Sequence, residues 1–216
     1  MVGKSVDAVE QNIVRSESDG WAKYTRSPTL IFSLTLIALY VTIAAIVGNF
    51  YEPLQPQRNG LILDLLVQCD APTPIFPWTL LTSIFLHANP LHILSNLAFL
   101  VIFGFILEEQ VSKSRWVTAF LLTGLAGSLT FAAADLAGYF LTGSPNPNSI
   151  DCGVGASGAV YGIMGTALGL KVVILLIFLL GLNIFAGGGT FAHLGGLGAG
   201  LLLRKFWALT QPEKGY

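Results

Sequence analysis

Charge is what this chain has least of. Asp, Glu, Lys and Arg make up 11% of its 216 residues, against roughly 25% in soluble domains. That shortage excludes an ordinary soluble domain and indicates a chain dissolved largely in lipid. Neither sign of charge dominates: the net charge is −1, so no nucleic-acid partner is implied. Histidine is scarce too, with only His87, His92 and His193. There is no HExxH pattern, and no carboxylate stands at ligand spacing from a histidine, so neither a metal centre nor another cofactor is expected. Internal repeats and paired charges inside apolar segments, the marks of a small transporter or channel, are missing as well. A cleavable leader is not expected. Residues 1–28 are polar and of mixed charge, and the first apolar run is long enough to span.

What the chain does have is 53% hydrophobic residues, gathered into six segments. These are Thr29–Phe50, about Leu91–Leu107, Val117–Leu141, Ser157–Leu170, Val172–Phe185 and about Gly189–Phe206. A helical span needs roughly 20 residues, so the fourth and fifth are short, with Lys171 alone between them. The expected fold is an all-α polytopic membrane bundle of six transmembrane helices. It divides into a cytoplasmic segment 1–28, a core 29–206 and a cytoplasmic tail 207–216. In that arrangement Lys4, Arg15, Lys23, Arg26, Lys113, Arg115, Lys171, Arg204, Lys205 and Lys214 share one side, and Arg58 alone takes the other. The positive-inside rule then puts both termini in the cytoplasm of a multi-pass cell-membrane protein. Five or seven spans would spoil this asymmetry. The first external loop, residues 51–90, holds Gly60–Val67, which is too short to span. It is either an interfacial segment or a loop packed on the bundle. The third loop, Gly143–Gly155, is rich in Pro, Asn and Gly and reads as irregular. Cys69 and Cys152 lie in these two loops, where an oxidising compartment permits a disulfide. The distance between the loops is not legible in the sequence.

A strongly polar group at membrane depth is costly, so it is a functional-site hypothesis by default. Three features qualify: the Gly155-Ala156-Ser157-Gly158 turn, His193, and the pair His92 and Asn96. The fourth segment runs from Ser157 to Lys171, fourteen residues or about 21 Å of helix. The hydrocarbon core is about 30 Å thick, so Ser157 lies roughly 10 Å below the outer surface. Irregular backbone at that depth needs a protein wall or a water-filled cavity. His193 stands eleven residues above Arg204, about 17 Å by the same rise, and so within about one turn of Ser157 in depth. Gly196 and Gly200 on the sixth segment, and Gly165 and Gly169 on the fourth, offer small faces for close approach. A serine hydroxyl needs an adjacent base to become a nucleophile, and His193 is placed to be that base. No acid is placed to orient it, so a dyad is expected rather than a triad. Tyr161 is one turn below Ser157 and either supports the imidazole or simply packs. His92 and Asn96, spaced i, i+4, can donate to a developing oxyanion, as can the Ser157 backbone N–H at a helix start. His87 stands in the loop or at the helix entrance.

These residues resemble those of the rhomboid family of intramembrane serine proteases. The pieces are His87-Ala-Asn-Pro-Leu-His92-Ile-Leu-Ser-Asn96, Gly104-x-x-x-Glu108, Gly155-Ala-Ser157-Gly158-Ala-Val-Tyr161-Gly162 and Ala192-His193-Leu-Gly195-Gly196-x-x-x-Gly200. They fall on the second, fourth and sixth spans in the family's order. The resemblance implies Ser157 as nucleophile and His193 as general base. His92, Asn96 and the Ser157 amide become oxyanion donors, supported by Gly155, and Tyr161 packs on the histidine. It also implies single-span membrane proteins as substrates, cut near the external face. The chain departs from the family at Trp78-Thr79, where an arginine often follows the tryptophan, and in its short fifth span. The alternative is a catalytically silent relative that binds client membrane proteins. Such relatives usually lack the serine or the histidine, and this chain keeps both.

Overall fold

The computed structural model describes residues 26–54, 65–69, 76–142, 152–172 and 189–209. Helix α1 (Pro28–Val47) starts where the Ser27 hydroxyl accepts the Leu30 N–H at 3.2 Å, with proline at the first helical position. It ends at Gly48, in the left-handed conformation, whose N–H bonds back to the last turn. Strand β1 (Gln68–Cys69) follows, then a single turn, α2 (Thr79–Thr82), and a 3₁₀ turn Ser83–Phe85. Helix α3 (Pro90–Glu108) repeats the entry of α1: Asn89 Oδ1 accepts the His92 N–H at 2.9 Å, and Pro90 leads. Helix α4 (Lys113–Thr142), strand β2 (Cys152–Gly153), helix α5 (Ser157–Leu168), a 3₁₀ turn Gly169–Val172 and helix α6 (Thr190–Phe206) complete the described elements. The fifth apolar segment beyond Val172 lies outside the described residues. So do Gly60–Asp64, most of the third loop and both ends of the chain.

Helices α1, α3 and α4 are each long and apolar enough to cross a membrane. Only 22–33% of each crossing stretch is buried, and residues such as Leu34, Leu94, Ile102 and Leu129 face outward. Surfaces that apolar need lipid around them, so this is an integral membrane protein. Helix α5 is the opposite case. It has 12 residues, about 18 Å of rise, and every residue from Gly158 to Ala167 is buried. It is the central post of the bundle, enclosed by α3, α4 and α6.

Glycine lets the neighbours close on it. A Cβ added at Gly196 would lie 2.7 Å from the Gly158 carbonyl carbon, and one at Gly200 would lie 2.8 Å from that of Gly162. The backbones of α5 and α6 therefore touch, as close packing in lipid favours. On α6 the small face is the expected one. On α5 it is Gly158, Gly162 and Gly165; Gly169 instead ends the helix beneath the Arg204 side chain. Arg204 itself, read as an inner-face charge, is turned inward and only 9% exposed. Its Nη1 donates to the Thr166 and Ala167 carbonyls at 2.8 and 2.9 Å. It thus satisfies acceptors that the end of α5 leaves open, with a cation where the helix dipole is negative. At the start of α1, Glu108 Oε1 accepts the Ser27 hydroxyl at 2.6 Å and the Thr29 N–H at 2.7 Å. That ties α1 to the end of α3.

Candidate active site

Ser157 is the first residue of α5, and no side chain caps that helix end. The first N–H groups of a helix have no intrahelical partners. The N-terminus of α5 therefore presents donors unused among the described residues and the positive end of its dipole. It opens on a cavity of about 590 Å³ lined by Ser157, His193, His92, Asn96, Tyr161 and Gly155. The structure thus brings all six residues singled out in the sequence to one space, from three helices and the turn before α5.

His193 stands in the first turn of α6, its N–H donating to the Gly189 carbonyl at 3.0 Å. The ring folds back over Gly189, where a Cβ would lie 3.2 Å from Nε2. On its other side Tyr161 stacks face to face, with centroids 4.4 Å apart and planes 9° from parallel. The imidazole is 6% exposed, and Nδ1 has no hydrogen-bond partner among the described residues. Ser157 Oγ and the His193 ring share the cavity without a direct hydrogen bond between them. Catalytic hydrogen bonds are often loose before substrate arrives.

Gly155 is required twice over. Its φ is 121°, a conformation that side chains rarely adopt. A Cβ there would also lie 2.6 Å from His92 Nε2. The Gly155 N–H is committed to the Ser83 carbonyl at 3.0 Å, so Gly155 supports the site by making room for His92. Asn96 is 4% exposed and spends one N–H on the His92 carbonyl at 2.8 Å. The other has no hydrogen-bond partner among the described residues, and Asn96 lines the cavity.

Sequence reasoning left His87 outside the site. It is 2% exposed, its ring sits edge-on to His92 at 5.2 Å, and its Nε2 accepts the Ala156 N–H at 3.4 Å. His87 therefore braces the residue just before Ser157. Burial pushes its imidazole down to about 3, and the neighbouring His92 adds to the shift. It is neutral at physiological pH, as an acceptor must be. The five-residue spacing of the two histidines carried the signal. A second omission is the ribbon beside the turn that leads into Ser157. β1 pairs with β2 antiparallel, Gln68 opposite Gly153 and Cys69 opposite Cys152, and the two cysteines form a disulfide. The sequence left that disulfide open, because the cysteines are 83 residues apart and nothing local fixes the distance between their loops.

Comparison with known proteins points one way. Residues 76–208 match the Rhomboid domain. RHOMBOID-like protein 1 of Arabidopsis thaliana is 32% identical over 155 residues, covering 64% of this chain and 36% of that protein. RHOMBOID-like protein 2 of the same plant is also 32% identical over 155 residues, 64% of this chain and 44% of the relative. Rhomboid-like protease 3 of Toxoplasma gondii is 27% identical over 187 residues, 77% of this chain and 64% of the relative. This chain spans less than half the length of the two plant relatives.

Proposed function

The chain belongs to the rhomboid family, which includes intramembrane serine proteases, and from that premise we propose that it is one, a serine endopeptidase working through a Ser157–His193 dyad. The observation that carries the proposal is the shared cavity. A serine at an uncapped helix start and a histidine backed by an aromatic ring open on the same space. In this reading His193 takes the Ser157 hydroxyl proton as Oγ attacks the scissile carbonyl. The tetrahedral oxyanion is held by the Ser157 amide, the Asn96 side chain and the His92 ring. His193 then passes its proton to the leaving amine. Water, activated by the same imidazole, releases the acyl group from Ser157. The Tyr161 stack keeps the ring in one orientation through both proton transfers, which a dyad needs because it has no acid to do so.

The substrates of this reading are single-span membrane proteins, cut at or near the membrane on the extracytoplasmic side. The positive-inside pattern supports it, since it puts Ser157 nearer the outer face with both termini of a six-span core in the cytoplasm. The test is cleavage of a single-span substrate in reconstituted vesicles by the native chain, Ser157→Ala and His193→Ala. Cleavage by the native chain alone is expected. Undiminished cleavage by Ser157→Ala removes the nucleophile assignment, and a folded native chain that binds such proteins without cutting them supports the silent, client-binding alternative.

A further inference from the structure

The Cys69–Cys152 disulfide has no place in the dyad chemistry, yet it ends five residues before Ser157. Building on the serine-protease reading, we propose that this cystine is a positioning element for the nucleophile turn, so that reducing it slows acyl transfer at Ser157 while the bundle stays folded.

The segment from Cys152 to Ala156 contains two glycines, Gly153 and Gly155, and glycine carries the greatest backbone freedom. Among the described residues its noncovalent restraints are few. The β1–β2 ribbon is two residues long, and even a longer isolated two-stranded ribbon is marginal in water. The Gly155 N–H bonds to Ser83, and the Ala156 N–H reaches His87 only at 3.4 Å. Val154 packs on a small cluster of Val67, Cys69 and Leu86. The far wall of that cluster is itself anchored, because Gln68 Nε2 donates to the Ser128 carbonyl at 2.8 Å, on α4. The disulfide thus fastens the glycine-rich run before Ser157 to a strand already tied to the bundle. The bulk of the fold does not depend on it: α5 is buried along its length and clamped to α6 by the glycine contacts. A loosened turn shifts the serine and its amide relative to His193, and a misplacement of about 1 Å at a reacting centre can cost on the order of 100-fold in rate.

The bond is within reach of a reductant. Cys152 is exposed and lines the cavity. A dithiol such as dithiothreitol supplies two electrons and two protons, is oxidised to its cyclic disulfide, and leaves Cys69 and Cys152 as thiols.

The experiment compares the purified native chain oxidised, reduced with dithiothreitol, and re-oxidised. Three quantities are read: kcat and KM on a single-span substrate, the rate at which a fluorophosphonate labels Ser157, and hydrogen exchange of the amides at 153–157 beside those of α1 and α3. Reduction should lower kcat and the labelling rate at least about tenfold, leave KM within about twofold, and speed exchange at 153–157 without moving α1 or α3. Re-oxidation should restore all of these. Cys69→Ser combined with Cys152→Ser should behave as the reduced chain and ignore dithiothreitol. If that variant does not fold, the reduction and re-oxidation cycle carries the test alone. Labelling and turnover within twofold in both redox states overturn the proposal and leave the protease reading intact. So does reaction of both thiols with a maleimide before reduction. A native chain that labels in neither state overturns the protease reading, and the proposal falls with it.

Discussion

Replacing Gly196 by alanine adds one methyl group, and its place is already taken. The new Cβ would lie 2.7 Å from the Gly158 carbonyl carbon, with that carbonyl's oxygen closer still. Both are backbone atoms of α5, so no side chain can rotate away. Carbon atoms in contact settle near 3.5–4.0 Å, so α5 and α6 must part by roughly 1 Å. The two helices carry Ser157 and His193, and Gly158 is the residue next to Ser157. A misplacement of that size costs on the order of 100-fold in rate. Overpacking adds a loss of stability of about 1–3 kcal/mol. Gly198 is the internal control. It lies two residues on, and an added Cβ there meets nothing within 4 Å among the described residues. Gly198→Ala should be neutral or stabilise by about 0.5–1 kcal/mol, since alanine is the better helix residue. The assay is kcat per folded molecule on a single-span substrate, with the melting temperature taken on the same preparations. Gly196→Ala should fall about 100-fold beside an unaffected Gly198→Ala. A folded Gly196→Ala protein with native kcat would refute the claim that helix spacing sets the distance between the reacting groups.

Three further expectations follow from single residues. Asn96→Ala should slow kcat by about 10²–10³ while KM holds, since one oxyanion donor is lost and others remain. Native turnover in the folded variant would remove Asn96 from the site. His87 is held neutral, protonating near 3 in the folded chain against an ordinary value of 6.5. The unfolded chain therefore binds the extra proton between those values, and stability drops as pH falls through 6.5 toward 3. From pH 7 to pH 5 the loss is about 2 kcal/mol. His87→Gln, which keeps an acceptor for the Ala156 N–H, should flatten that slope, and an unchanged slope assigns it to other groups. Finally, a reporter fused after Tyr216 should read as cytoplasmic; an external signal would overturn the six-span topology.

Long apolar runs and residue spacing make much of this molecule legible in its sequence. Hydropathy located α1, α3, α4 and α6 to within a few residues, because a helix in lipid has to be apolar nearly throughout. Counting helical rise from the basic residues placed Ser157 and His193 near one level, and the two line one cavity. Features set by three-dimensional closure were not legible. Cys69 meets Cys152 because two loops fold toward each other, and nothing local encodes that. Arg204 looked like any basic residue at a membrane face, yet it bends inward to cap α5, where its guanidinium satisfies carbonyls that the helix end leaves open. His87 looked like a loop residue because what ties it to the site is a backbone N–H on a segment 69 residues away. On α5 the glycine face was misplaced by one turn at its lower end, because helix periodicity gives spacing but not the point where the helix stops.

The central claim is that Ser157 is a nucleophile made reactive by His193. Fluorophosphonates bond covalently to activated serines and not to ordinary ones. The purified native chain, treated with such a probe and digested, should carry the adduct on the peptide containing Ser157 and on no other serine. His193→Ala, folded to the same extent, should remain unlabelled over the same time. An adduct on another serine, or labelling of Ser157 at the native rate without His193, would contradict the account.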